Sequence, residues 1–413
     1  MKLVMQRKNP SARWLAPLAL LYLIGGSIQY IGILSPTQCT IVLLALFCHV
    51  FFYRSTWRIA LSELPILIFL AFVSIYHLAN KPPASNTLTY IYYLICTIVV
   101  SVAGRVYAFH LVDLESLKNF FRICRWFLVI QLAVTLFQFS FTETVVAFSR
   151  GSVNPEDAMF GSLFLKSDAS LAAICQLIVI AAFLLPCLAR ERFLLTVLAI
   201  LIIFIANSKA AQGSILLLIA LLSVRQLGYS VGFQRYGFGI LGVAAAILCA
   251  AVTFPIWSDY ASAFLTRAQE DYFRRDEWVS ASRFAPIGEM VSKGLDVFGQ
   301  GPLTYYNPIT KTWLYNSGFS TIYVLYIDYG ALGLALFLFY VARLVFKFAS
   351  KVVPKLAFFL VITTFIIFNF ALWDAGFLFF LNFILALNYK INREVVLEIQ
   401  SDSREGIYAL ARD

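Results

Sequence analysis

The chain has 413 residues, of which 61% are hydrophobic and 13% are Asp, Glu, Lys or Arg, and its formal net charge is +10. Soluble globular proteins are about 45–50% apolar and about 25% charged, so a soluble core could not bury this much apolar surface. The composition also excludes disordered, collagen-like and disulfide-scaffold proteins. It predicts a polytopic integral membrane protein of the all-α class, because helices satisfy their own backbone hydrogen bonds in lipid.

Apolar runs recur along the chain, and about 12 of them approach the roughly twenty residues that a membrane-spanning helix needs. They lie at 14–34, 38–53, 61–79, 88–104, 126–142, 169–189, 193–207, 212–224, 238–256, 320–342, 356–372 and 375–389. The first run is too long for the core of a signal peptide, so we expect it to be a retained span. An even number of spans places both termini on the same side of the membrane.

Basic residues are concentrated in the connections on the side of the two termini, which the positive-inside rule assigns to the cytoplasm. Because the positive charge is explained in this way, it does not indicate a nucleic-acid partner. The seven cysteines form no CxxC pair and the three histidines are scattered, so we expect neither a metal site nor a disulfide framework. We therefore predict a multi-pass protein with both termini in the cytoplasm.

Two predicted connections are longer than the others. Residues 105–125 are amphipathic, with Leu114, Leu117 and Phe121 on one helical face, and we expect an interfacial cytoplasmic helix there. Residues 257–318 lie on the opposite side, and their many aromatic residues predict a folded loop. The predicted regions are 1–256 with the first nine spans, 257–318 as an extracytoplasmic loop, 319–389 with the last three spans, and 390–413 as a cytoplasmic tail.

Charged residues are rare inside the predicted spans and frequent on the predicted outer face. An ion-coupled transporter normally has carboxylates near the membrane midplane; the nearest candidates here, Asp328 and Asp374, lie near the outer ends of their spans, which disfavours a transporter. Arg side chains beside a membrane suit the phosphate of a lipid head group, and aromatic rings suit sugar faces as well as membrane interfaces. These residues indicate an extracytoplasmic site for a glycan attached to a lipid phosphate.

Several blocks of the chain resemble the O-antigen polymerase and ligase superfamily, in the order of that family's motifs. Arg283, followed by Gly299-Gln-Gly301, resembles an Arg that precedes a Gly-x-Gly turn. Asn316-Ser317 and then Asp328-Tyr-Gly330-Ala-Leu-Gly333 resemble a His-Asn pair followed by a Glu-x-Gly-x-x-Gly block. Together with the span layout, these blocks cover most of the chain.

Upstream blocks and two departures refine the resemblance. Arg150 and residues 161–168 resemble an earlier outer loop, and Asn207-Ser208-Lys209 resembles a Ser-Arg pair that opens a span. Lys209 keeps the positive charge but lacks the guanidinium fork. Ligases of this family usually have His at the position of Asn316, so the chain is most like the repeat-unit polymerases, the Wzy-type branch.

The resemblance implies a GT-C-like glycosyltransferase of the bacterial inner membrane, with its active site facing the periplasm. Its expected reaction joins oligosaccharide repeat units linked to undecaprenyl pyrophosphate into O-antigen, capsule or exopolysaccharide. Donor and acceptor are then both lipid-linked oligosaccharides within the membrane lipid, and a chain-length regulator protein is an expected partner. Another class of sugar-transferring membrane proteins binds a divalent metal through acidic residues of its first outer loop. Here the predicted first outer loop, 35–37, has no carboxylate, so we expect no metal, and we expect no other cofactor.

This reaction needs a cation to stabilise the departing pyrophosphate and a base to deprotonate the acceptor hydroxyl. Arg283 has the closest motif match and is the expected catalytic cation. The base is a carboxylate or a tyrosine, because the predicted outer loops contain no His, and the candidate carboxylates are Asp276, Glu277 and Glu289. The expected substrate-binding residues are Arg150, Lys209, Arg267, Arg274, Arg275, Tyr305, Tyr306, Tyr315 and Asn316.

The sequence leaves open the roles of three further residues and several alternative functions. Gly299 and Gly301 are expected to permit a tight turn, and Asp328 either orients an Arg or anchors a helix end. The alternative functions are a glycan ligase that uses the same donor, a lipid-linked glycan flippase or other transporter, and a non-catalytic scaffold. A transporter requires a polar path through the spans, whereas a transferase requires an outer-facing cavity that opens laterally to lipid.

Overall fold

The computed structural model of the protein describes residues 63–110, 114–148, 158–163, 168–206, 208–227, 296–303, 306–307, 312–313, 320–349 and 351–410. These ranges are mainly α-helical. The helices are α1 (Leu64–Asn80), α2 (Ala84–His110), α3 (Leu114–Ser140), α4 (Thr142–Phe148), α5 (Asp168–Leu184), α6 (Ala189–Ile205), α7 (Lys209–Leu227), α8 (Thr321–Phe348), α9 (Val352–Phe368) and α10 (Ala375–Leu410). A short antiparallel pair, β1 (Tyr306–Asn307) and β2 (Thr312–Trp313), lies between α7 and α8 in the chain.

Four helices in the described ranges are long and apolar enough to cross a bilayer, at 84–109, 117–140, 321–348 and 375–393. Each predicted span that lies at least partly in these ranges overlaps one of the helices. The spans predicted at 14–34, 38–53 and 238–256 lie outside the described residues. The apolar helices indicate a membrane-embedded helical protein, as the composition predicts.

Helix ends differ from the predicted span ends because hydropathy does not detect polar residues that remain helical. α2 begins at Ala84 and ends at His110, so it includes Arg105, which was assigned to a connection. The segment 105–125, predicted as one interfacial helix, is divided between the end of α2 and the start of α3. Leu117 and Phe121 are buried in the protein core, so the apolar face of this segment packs against neighbouring helices.

Local sequence explains where several helices begin and end. Pro65 lies in the first turn of α1, where its missing N–H is not needed. The helix ends at Lys81, which adopts a left-handed conformation with φ 49° and donates its N–H to the His77 carbonyl at 2.9 Å. α10 begins after Asp374, whose carboxylate accepts the Phe377 N–H at 2.9 Å, as an N-cap residue does.

The helices form one bundle. α2 packs along α10, α8 packs against α1 and α9, and α5 contacts α6, α7, α9 and α10. Gly104 permits the close approach of α2 to α10, since a Cβ atom there would lie 2.5 Å from the Phe379 carbonyl oxygen. We call the end at which α2, α5, α8 and α10 begin the Gly330 end, and the opposite end the Arg105 end.

Candidate functional site

Helix α8 is interrupted at Gly330, where φ is 66° and ψ is −165°. The N–H groups of Ala331 and Leu332 donate to the carbonyls of Asp296 and Val297, at 2.8 and 3.2 Å. In return, the carbonyls of α8 just before the break accept N–H groups from residues 300 and 301, at 2.7 and 2.9 Å. Residues 296–303, which we call the strap, therefore supply the hydrogen bonds that the helix loses, and unpaired backbone groups are avoided in an apolar bundle.

Two glycines make this contact possible. A Cβ atom on Gly330 would lie 2.4 Å from the carbonyl carbon and oxygen of Val297, and one on Gly299 would lie 2.5 Å from the Gly330 nitrogen. Gly299 also has a positive φ, of 75°, which favours glycine. The strap and the break therefore approach each other backbone to backbone, and the sequence blocks at 299–301 and 328–330 form one structural unit.

Side chains from α1 and α2 also contact the strap. The Tyr76 hydroxyl donates to the Gly299 carbonyl at 3.1 Å, and the Asn86 amide donates to the Pro302 carbonyl at 3.1 Å. Within the strap, the carboxylate of Asp296 accepts the Gly299 N–H at 2.9 Å, which stabilises its turn. The strap is thereby connected to three helices, α1, α2 and α8.

Asp328 lies immediately before the break and is fully buried. Its carboxylate accepts a hydrogen bond of 2.5 Å from the Tyr90 hydroxyl of α2, which is also fully buried. The Tyr90 ring packs edge to face against Tyr329 at 4.8 Å and against Phe370 at 6.4 Å. A buried carboxylate needs such a partner, so this bond connects α2 to the first segment of α8.

A second buried polar cluster forms at the connection between α9 and α10. The Ser170 hydroxyl donates to Asp374 at 2.5 Å and accepts from the Asn369 amide at 2.9 Å. The Thr321 hydroxyl donates to the Asn369 carbonyl at 2.6 Å. Burial raises the pKa of the Asp374 carboxyl above its ordinary value, although hydrogen bonds from the Phe377 N–H and from Ser170 oppose this shift.

Residues 158–163 form a third irregular segment at the Gly330 end, and they are buried. Two glutamines of α3 replace the backbone partners that this segment lacks. Gln138 accepts the Gly161 N–H at 2.8 Å and donates to its carbonyl at 2.9 Å, while Gln131 accepts the Ser162 N–H at 2.8 Å and donates to its hydroxyl at 2.6 Å. These bonds satisfy polar groups that would otherwise be unpaired in an apolar environment.

A small recess lies at the same end between α5, α7 and α9. Ser208 lines it beside the first residue of α7, Lys209, and Phe365 and Phe368 of α9 line it from the other side. Gln176 also lines the recess, and it connects α5 to α7 through a 2.6 Å bond to the Ser214 hydroxyl.

Most of the predicted site residues lie outside the described residues. Lys209 is the first residue of α7, and Tyr306 lies in β1. The others are Arg150, Arg267, Arg274, Arg275, Asp276, Glu277, Arg283, Glu289, Tyr305, Tyr315 and Asn316. Two described irregular segments flank these residues in the chain: the strap follows Glu289, and the segment 158–163 follows Arg150.

An ion pair at the Arg105 end was not anticipated from the sequence. Arg105 and Glu63 are both fully buried and form a salt bridge. The Arg105 Nε donates to the Ser101 carbonyl at 3.2 Å, and the Ser101 hydroxyl shares a 2.9 Å hydrogen bond with the Tyr340 hydroxyl of α8. Arg105 directly follows the predicted span 88–104 and was assigned to a connection, whereas Glu63 lies inside the predicted span 61–79, and hydropathy does not reveal that the two residues pair.

Sequence reasoning also missed Tyr90, Tyr76, Gln131 and Gln138. The two glutamines are seven residues apart on an apolar helix, and this spacing places them on one face, which was the available signal.

Among the described residues, no group of three or more His, Cys, Asp and Glu side chains is arranged to hold a metal ion. No family model matches the chain, and no curated protein matches it either.

Proposed function

We propose that the protein is a membrane glycosyltransferase that polymerises oligosaccharide repeat units linked to undecaprenyl pyrophosphate. The observation that carries the proposal is the contact between the strap and the break in α8. Gly299-Gln-Gly301 and Asp328-Tyr-Gly330 resemble two motif blocks of the O-antigen polymerases, and these blocks are hydrogen-bonded to each other. A backbone contact between the two blocks that were chosen by resemblance alone supports their assignment to one functional site.

The distribution of charge supports an orientation for this site. In the described part of the chain, the Gly330 end has Lys81 and Lys209 as its basic residues. The Arg105 end has Arg105, Lys118, Arg122, Arg125, Arg190, Arg192, Arg225, Arg343, Lys347, Lys351, Lys355, Lys390, Arg393 and Arg404. By the positive-inside rule, the Arg105 end and both termini face the cytoplasm, and the Gly330 end faces the periplasm of a bacterial inner membrane.

On the periplasmic side the donor is lipid-linked, and the loop 257–318 supplies the reacting groups. Arg283 stabilises the departing pyrophosphate, with Arg150, Lys209 and Arg267 as further cations. A carboxylate among Asp276, Glu277 and Glu289 removes the proton from the acceptor hydroxyl. The glycosidic bond forms as the bond between the donor sugar and its pyrophosphate breaks, so the products are one longer lipid-linked chain and free undecaprenyl pyrophosphate. The longer chains become O-antigen, capsule or exopolysaccharide.

A transporter of lipid-linked glycans is the second candidate, and two observations favour it. Broken helices and buried charges are features of transporters, and α8 is broken while Arg105 and Glu63 are buried. However, the carbonyls of Ile327 and Asp328 at the break already accept hydrogen bonds from the strap, so they do not present free ligands to an ion. We therefore prefer the transferase to the transporter.

Reconstitution of the purified protein with lipid-linked repeat units tests the proposal. We expect a ladder of products that are longer by one repeat unit each, and we expect it to form in EDTA because the proposed reaction uses no metal. A ligase would instead transfer one glycan to a lipid A core acceptor without a ladder, and a transporter would move the lipid without changing it. Loss of the ladder in EDTA with recovery on adding Mg²⁺ or Mn²⁺ would contradict the metal-independent mechanism.

A further inference from the structure

We propose that Asp328 and Tyr90 are positioning residues that fix the strap, and with it the end of the loop that carries Arg283 and Glu289. The strap junction consists of the strap, residues 327–332 of α8, Tyr76 and Tyr90. This inference rests on the proposed function, because it assigns the junction a role in the reaction at that site. The junction itself is a set of described contacts, so it can be tested without any activity.

The break in α8 is held from both sides by one helix. Before the break, Asp328 bonds to Tyr90 of α2 at 2.5 Å, and after the break, Tyr340 bonds to Ser101 of α2 at 2.9 Å. Tyr90 and Ser101 are eleven residues apart, which is close to three helical turns, so both lie on the same face of α2. The two segments of α8 are thus fixed relative to each other, and the break is a rigid joint.

The strap is fixed to this joint by four backbone hydrogen bonds and by Tyr76. Glu289 lies seven residues before Asp296, the first strap residue, and Arg283 lies six residues before Glu289. A displacement of about 1 Å in a catalytic group can lower the rate about 10²-fold, so the anchoring of a loop this close to the reacting groups affects the reaction.

Asp328 acts through Tyr90 and not as the base. It is fully buried, and the rings of Tyr90 and Tyr329 pack beside it, so an acceptor sugar hydroxyl has no access to the carboxylate. Tyr90 itself is fully buried, and its hydroxyl donates a hydrogen bond to the Asp328 carboxylate. The function that fits these contacts is to hold the first segment of α8 at the position where its carbonyls bind the strap.

The accessibility of the strap is measured with the variant Leu303→Cys, which places a reporter thiol in the strap. Leu303 is 7% exposed and packs in the core, so this thiol reacts with a maleimide only when the strap moves away from the junction. Detergent-purified full-length protein is treated with a maleimide, and the labelled strap peptide is quantified by mass spectrometry. Burial raises the pKa of Cys187, in the connection between α5 and α6, to about 11, so this half-buried native thiol reacts slowly near pH 7. Peptide-level detection separates the signal of the introduced thiol from that of every native thiol.

Gly330→Ala is expected to detach the strap, because the new Cβ would overlap the Val297 backbone. We expect the labelling rate of the reporter thiol to rise at least tenfold and polymerisation to fall about 10²-fold. The matched control is Gly104→Ala, which also forces a Cβ to 2.5 Å from a backbone oxygen, but between α2 and α10. The control should leave labelling of the reporter thiol unchanged, and an unchanged labelling rate in Gly330→Ala would overturn the proposal.

Conservative variants separate positioning from base catalysis. Asp328→Asn keeps an oxygen that accepts the Tyr90 hydroxyl, so we expect its labelling and polymerisation rates to stay within about threefold of the parent. Asp328→Leu and Tyr90→Phe remove the bond, and both should raise labelling and lower polymerisation together. If Asp328→Asn lost activity while labelling stayed at the parental rate, the positioning role would be wrong. If the labelling pattern held in a parent protein that forms no ladder, the junction would stand and the proposed function would fail.

Discussion

Individual polar side chains at the Gly330 end replace backbone partners that regular helices supply elsewhere. Gln138 pairs with both polar groups of Gly161, and Gln131 pairs with the N–H and the hydroxyl of Ser162. In lipid or in a dry protein core, each such group is expensive to leave unpaired. These glutamines therefore determine whether the segment 158–163 can stay inside the bundle.

Gln138→Leu should lower the stability of the protein, because the N–H and the carbonyl of Gly161 both lose their partner. Each buried group left unpaired costs about 1–3 kcal/mol. Thermal unfolding in detergent measures the effect. The matched control is Gln212→Leu, since the Gln212 amide makes only an exposed bond of 3.5 Å to the Phe204 carbonyl. Equal unfolding temperatures for the two variants would show that the Gln138 bonds contribute nothing.

Arg283→Lys should inactivate the proposed polymerase nearly as fully as Arg283→Ala, because a point charge cannot replace a two-pronged donor to pyrophosphate. A lost contact of about 2.7–4 kcal/mol in the transition state corresponds to roughly 10²–10³ in rate. Complementation of a polymerase-deleted strain should give single repeat units on the surface instead of long chains, at normal protein abundance.

The control for this substitution is Lys118→Ala, which removes one exposed positive charge at the opposite end of the bundle. It should support a full ladder of chain lengths. A full ladder from Arg283→Ala at normal abundance would instead exclude Arg283 as the catalytic cation and leave Arg150 or Arg267 as the better candidate.

Only some of the residues that hold the irregular segments in place could be predicted from the sequence. Gly299 and Gly330 were selected because they belong to recognisable motif blocks, and the structure gives both a positive φ and a close backbone contact. Tyr90 and Gln138 were missed because a single polar residue in an apolar run does not reveal its partner. That partner lies far away in sequence, 238 residues away for Tyr90 and Asp328.

Helices could be predicted better than their interruptions. Hydropathy locates α8 at 320–342, close to Thr321–Phe348, because lipid-exposed and core-facing residues are both apolar. The break at Gly330 leaves no trace in hydropathy, since it depends on backbone dihedrals and on the strap. The same limitation hid the stripe on α2 formed by Tyr90, Ser101 and Arg105, which connects α2 to α8 and α1.

The buried ion pair of Arg105 and Glu63 should stabilise the packing of α1 against α2. Glu63→Gln removes the negative charge that pairs with the buried Arg105, and breaking a buried pair in this way costs about 3–5 kcal/mol. The double variant Glu63→Met with Arg105→Met removes both charges, so most of the stability lost by the single variant should return. Thermal unfolding in detergent compares the three proteins.

Activity measurements on the same variants separate the two candidate functions. If the pair is structural, the double variant should polymerise within a few-fold of the parent. A double variant that regains stability but loses all function would indicate that the charges take part in coupling, which would favour the transporter. A Glu63→Gln protein as stable as the parent would contradict the structural role.

The whole molecule is asymmetric between its two ends. Three described irregular segments, namely the strap, residues 158–163 and the connection 369–374, lie at the Gly330 end, whereas the shorter described connection 185–188 lies at the Arg105 end. The described basic residues are concentrated at the Arg105 end. Irregular backbone at membrane depth occurs where it is buried in protein or lines a site, and this agrees with our proposal that the site lies at the Gly330 end.

This asymmetry predicts a topology that fusions can measure. Alkaline phosphatase, which is active only outside the cytoplasm, should be active when inserted after Glu270 and inactive when inserted in the connection 111–113 or fused after Asp413. Green fluorescent protein should give the reverse pattern at the same positions, which controls for expression. The expectation follows from the positive-inside rule, because moving the basic Arg105 end across the membrane would place more than ten Lys and Arg residues outside. A cytoplasmic location for Glu270 would put the loop on the side where nucleotide sugars are available, and it would remove the reason for a lipid-linked donor.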